Sequence, residues 1–83
     1  MLRELDPVRV VSLRDPPTQH LAVAGAQRPP RLGDTGTVVQ LLRPGDPSTT
    51  YLVEAVTGEG ETIWLGEFTR EELELLSGSE ARE

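Results

Sequence analysis

Leu32-Gly33-Asp34-Thr35-Gly36-Thr37-Val38-Val39 reads as a tight turn feeding a β-strand. Gly33 and Gly36 allow either a positive φ or a close backbone approach without steric cost. Asp34 is placed to bond the Gly36 amide in an Asx-turn. Thr37, Val38 and Val39 are β-branched and favour an extended, pleated backbone. Gly33, Asp34 and Gly36 are therefore expected to build a structural turn.

Further strands are predicted on both sides of this turn. Pro7 to Leu13 opens the chain, with Val8 and Val10 alternating around Arg9. Gly36 to Arg43 is the second strand, and Pro44-Gly45-Asp46-Pro47-Ser48 turns it. Thr50 to Val56 is the third, with Tyr51, Val53 and Ala55 on the core face and Glu54 outward. Thr57-Gly58-Glu59-Gly60 makes a hairpin into the fourth, Glu61 to Phe68, where Ile63 and Leu65 are expected inside and Trp64 on the other face. Thr69-Arg70-Glu71-Glu72 has the capping-box pattern, which predicts a short C-terminal helix stapled by Phe68, Leu73 and Leu76 and stopped at Gly78.

Residues 14–31 form a long connection containing Pro16, Pro17, Gly25, Pro29 and Pro30. Its patch Leu21-Ala22-Val23-Ala24 is suited to dock back as a turn of helix or an edge strand. Residues 1–78 are expected to make one domain and residues 79–83 a frayed tail. Short strands, Gly/Pro turns and one terminal helical turn together point to an all-β, partly open, five-stranded barrel.

The 83 residues include no Cys, so a disulfide framework, a thiolate metal site and a Cys nucleophile are all excluded. No signal-peptide pattern is visible and no apolar run approaches a membrane span, which places the expected setting in a bacterial-type cytoplasm without membrane contact. Charge is distributed unevenly. Residues 1–43 hold six Arg against four acids, a balance of +2, whereas residues 44–83 hold two Arg against ten acids, a balance of −8. A chain of net charge −6 without a basic stripe lacks the footprint of a nucleic-acid binder and suits a basic protein partner.

Each chemical candidate has a structural counterpart. Trp64, the only Trp, is either an exposed binding anchor or a cover for the barrel end or the long loop. Tyr51 stands either in a surface groove or in the strand core. Glu59, Glu61, Glu67, Glu71, Glu72 and Glu74 form either a docking patch or a solvated face. His20 is the only His and reads as a solvated loop residue, so no metal site is expected. The triplet Asp34-Thr35-Gly36 matches that of aspartic proteases, but a dyad needs a second facing carboxylate from a homodimer, and backbone needs alone explain the turn. Arg28, Arg31 and Arg43 lie near one another in sequence and are the motive for a nucleic-acid alternative.

Taken together, Leu32 to Val39, Tyr51-Leu52-Val53-Glu54-Ala55 and Phe68-Thr69-Arg70-Glu71-Glu72-Leu73 resemble a bacterial family of small SH3-like β-barrels, the domain of unknown function family 4926. The likeness spans about residues 5–76. It departs from the family pattern in the longer connection at 14–31 and in Ala55, where a larger aromatic is common. The family brings no catalytic residues and no cofactor. What the resemblance implies is a small accessory protein, paired in some members with a toxin-like neighbour. The residues themselves, with no catalytic constellation, an acidic second half and a lone Trp, suit a noncatalytic protein-binding module, as an antitoxin or immunity-type partner, with Trp64, Tyr51, Glu67, Glu71 and Glu72 as the expected binding residues. The alternatives are a KOW-like nucleic-acid-associated barrel and an accessory subunit of a larger enzyme. Either a monomer or a weak homo-oligomer is expected.

Overall fold

The computed structural model describes residues 2–13 and 25–76. The Leu21–Ala24 patch, His20, Gly78 and the expected tail lie outside the described residues. Strands β1 (Pro7–Val10), β2 (Thr35–Leu42), β3 (Thr50–Val56), β4 (Thr62–Phe68) and β5 (Leu73–Leu75) form one antiparallel sheet in the order β4-β3-β2-β1-β5. A 3-10 turn, Arg70–Glu72, precedes β5. The protein is therefore all-β. The sheet is open, with β4 and β5 at its two margins and no pairing between them.

The two glycines of the decisive turn do different work. Gly33 adopts φ +88°, a left-handed conformation that costs an L side chain energy. Gly36 is needed for space. A Cβ there would stand 2.8 Å from the Glu54 carbonyl oxygen and 2.9 Å from Val53 Cγ1. β2 can thus lie close against β3, with Thr37 paired to Glu54 and Val38 to Val53. The Asp34 carboxylate turns away from the expected Gly36 amide and accepts the Arg31 amide at 2.9 Å.

Tyr51, Val53 and Ala55 are buried along β3, as their alternation dictates. β4 has the opposite phase to the one expected. Trp64, Gly66 and Phe68 face the core, while Leu65 and Glu67 lie on the outer face and Ile63 is partly buried against the core. Register explains the choice. Tyr51 pairs with Phe68 and Ala55 with Trp64, so the small Ala55 side chain leaves room for the indole. The two β4 rings pack at 5.7 Å, tilted by 59°. Leu2, Val8, Val10, Val38 and Leu73 complete one cluster that draws on all five strands. Residues from opposite margins can meet in one cluster only if the sheet curls over its inner face. Register shifts between Val38 and Gln40 in β2 and between Ala55 and Val56 in β3 supply extra local twist of this kind.

The expected C-terminal helix does not form beyond the 3-10 turn. Thr69 and Glu72 do make the box's return bond, Thr69 N–H to Glu72 Oε1 at 2.8 Å, and the Glu72 amide reaches the Thr69 carbonyl at 3.1 Å. Leu73-Glu74-Leu75 then extends, because β1 offers a free edge. Val10 pairs with Leu73, Arg9 with Glu74 and Val8 with Leu75. Continuing a helix would have left that edge open and buried less of Leu73.

Candidate functional site

Three of the five expected binding residues are withdrawn from the surface. Trp64 is fully buried, Tyr51 is 4% exposed and Glu72 is 4% exposed. Trp64 is a fixed internal strut. Its Nε1–H donates to Asp34 Oδ2 at 2.9 Å, which ties β4 to the turn before β2 across the inner face. Glu72 closes the 3-10 turn. Of the remaining pair, Glu71 is exposed and Glu67 is half-buried.

Asp34 accepts hydrogen bonds on both carboxylate oxygens. Arg28 grips it with both terminal nitrogens, at 2.7 Å to Oδ2 and 3.3 Å to Oδ1, and the Arg31 amide and the Trp64 indole add further bonds. Burial alone raises its pKa. The hydrogen bonds from Arg28, the Arg31 amide and Trp64, with the Arg28 charge, outweigh that and hold the carboxyl below its ordinary range. The same pair raises the Arg28 guanidinium. Arg28, one motive for the nucleic-acid alternative, has its anion six residues away in the same chain. The Gln27 and Arg28 amides both donate to the Ile63 carbonyl, at 2.7 and 3.2 Å, so this segment also covers part of the β4 margin.

The surface acids divide into two groups at opposite ends of β4. At its C-terminal end, Glu67 accepts the Thr50 hydroxyl at 2.6 Å and faces Arg43 at 3.7 Å, and Glu71 follows directly on Arg70. Basic side chains offset the acids there. At the hairpin end, Glu59 and Glu61 are exposed and have no ion pair with a described residue, and Glu54 lies just below them on β3. Arg9 leans instead to Glu74 on β5 at 3.5 Å, and Arg28 is held by Asp34. Arg31 is exposed beside the Gly33 turn. Because Arg28 and Arg43 both face internal carboxylates, two of the three Arg residues that motivated a nucleic-acid reading already have anionic partners.

Among the described residues, no cluster of three or more His, Asp or Glu is placed to hold a metal ion, and no helix is long and apolar enough to cross a membrane. A groove of about 430 Å³ runs between the β2–β3 turn and Arg70, with Tyr51 at its floor. Its charged groups are committed locally, Asp46 to the Ser48 amide and hydroxyl and Arg70 to the Leu73 carbonyl. No protein-family model matches this chain, and neither a curated protein nor a solved structure shows significant similarity to it.

Proposed function

We propose that this chain is a noncatalytic SH3-like binding module, of the bacterial family its sequence resembles, that docks on a basic protein partner in the cytoplasm. It would serve there as an immunity-type or accessory partner. Five short antiparallel strands curling around one core, with a 3-10 turn before the last strand, support the SH3-like reading. The observation that carries the docking reading is the charge of the hairpin end. Glu59 and Glu61 project from a hydrogen-bonded hairpin, closed by Thr57 N–H to the Glu61 carbonyl at 2.8 Å and Gly60 N–H to the Thr57 carbonyl at 2.9 Å, without a described counter-ion. Preorganised like charges of this kind attract and orient a partner of opposite sign.

Capture from a lysate of the chain's own source, at low and high salt, tests the reading. The tagged protein should retain one basic protein stoichiometrically at low salt. Salt should weaken that retention, and a Glu59→Lys/Glu61→Lys variant should lose it. Equal retention by the variant, or retention of nucleic acid in place of protein, contradicts the reading.

A further inference from the structure

The outer face of the sheet carries a pocket of about 300 Å³ just below the acidic hairpin. Register places its parts in adjacent rows. Pro7 pairs with Thr37 and Thr37 with Glu54, so one residue from each of β1, β2 and β3 lines up across the sheet. Thr35 and Val56 stand two residues further toward the hairpin, and Leu76 closes the side beside Pro7, where its amide donates to the Pro7 carbonyl at 3.0 Å. Gly36 keeps β2 and β3 close enough for this row to form, through the tight approach to Glu54.

The pocket has apolar walls and one carboxylate, Glu54, at its β3 side. Pro7, Val56 and Leu76 supply the walls, and Val56 is 49% exposed. Glu54 uses Oε2 to accept the Thr62 hydroxyl at 2.6 Å, while Oε1 has no described partner. The Thr35 and Thr37 hydroxyls are also without a described hydrogen bond, and both residues line the pocket. The site therefore presents one free carboxylate oxygen and two hydroxyl oxygens beside apolar surface. An ammonium has three N–H donors and an aliphatic stem, whereas a guanidinium fork is best met by a carboxylate with both oxygens free.

We infer that this pocket receives a lysine side chain of the docking partner, with the ammonium on Glu54, Thr35 and Thr37 and the stem against Pro7, Val56 and Leu76. The inference rests on the docking reading above and names the contact at its centre. Glu59 and Glu61 steer the lysine, and Glu54 holds it.

The test titrates the isotope-labelled protein with three peptides of equal length, rich in lysine, acetyl-lysine or arginine, and follows the backbone amides by NMR. The lysine peptide should shift the amides of Thr35, Thr37, Glu54 and Val56 saturably. Acetylation should abolish the effect, and arginine should bind more weakly. Glu54→Gln should weaken lysine binding about tenfold. Its amide oxygen still accepts the Thr62 hydroxyl, so an unchanged thermal midpoint shows that the fold is retained. Shifts centred on Glu67 to Glu72 would overturn the pocket and leave docking standing. Arginine binding as tight as lysine, or an unaffected Glu54→Gln variant, would overturn the lysine assignment. Absence of binding by every basic peptide would overturn both the pocket and the docking reading.

Discussion

Asp34 shows how one side chain can organise an open sheet. Its carboxylate collects Arg28, the Arg31 amide and Trp64, so the segment before β2 and the margin strand β4 share one anchor. Asp34→Ala leaves the indole N–H unpaired in the core and should cost about 1–3 kcal/mol, read by chemical denaturation. The sign of the pH dependence follows from the lowered pKa. Asp34 binds its proton less readily folded than unfolded, so its contribution is fully present above the unfolded-state value. That contribution is lost as pH falls below about 4 toward the folded-state value. Trp64 fluorescence should report acid unfolding that Asp34→Asn makes less steep. The two turn glycines give a second contrast. Gly33→Ala meets no neighbour and should cost about 1 kcal/mol for its positive φ, whereas Gly36→Ala presses on the Glu54 backbone and should cost about 1–3 kcal/mol. Equal costs would show that the close approach at Gly36 is relieved elsewhere.

At the scale of elements, β-branched runs and Gly/Pro turns made the first four strands legible to within a few residues, because both act locally. The phase of β4 was harder to read. Ile63-Trp64-Leu65-Gly66-Glu67-Phe68 is apolar on both parities, and the pair Ile63 and Leu65 looks like a core face. The decisive signal is Glu67, which shares their parity and would have been carried inside with them. β5 is hidden in the sequence because the capping box is local, whereas the edge that receives Leu73 to Leu75 is distant in the chain. Leu73-Glu74-Leu75 itself alternates with period two, and only the unpaired edge of β1 makes a strand the better outcome. Leu73→Ala should therefore cost about 2–4 kcal/mol, as expected for a buried leucine. Glu74→Ala should cost less than about 1 kcal/mol, since its contact with Arg9 is exposed. A comparable loss from both would contradict the strand pairing. The candidate site was legible only in part. The acidity of the second half was plain from composition, but its division between a balanced end at Arg43 and an end at Glu59 and Glu61 without a described counter-ion depends on which strands become neighbours.

For the whole molecule, the consequence is a polar division of the surface. A net charge of −6 acts over a Debye length of about 8 Å at physiological salt, so only the acids near a docking edge steer a partner strongly. Trp64 and Tyr51, the large aromatics that would ordinarily anchor an interface, are spent on the core. In the proposed docking, affinity would come from charge and from the small outer pocket, which predicts an association that is fast and sensitive to ionic strength. Backbone hydrogen exchange, compared between the free protein and its complex with the captured basic partner, tests this most directly. Protection centred on Thr35 to Thr37 and Glu54 to Thr62 is the predicted result. Protection confined to Glu67 to Leu75, or spread evenly over the sheet, would contradict a docking face at the acidic hairpin.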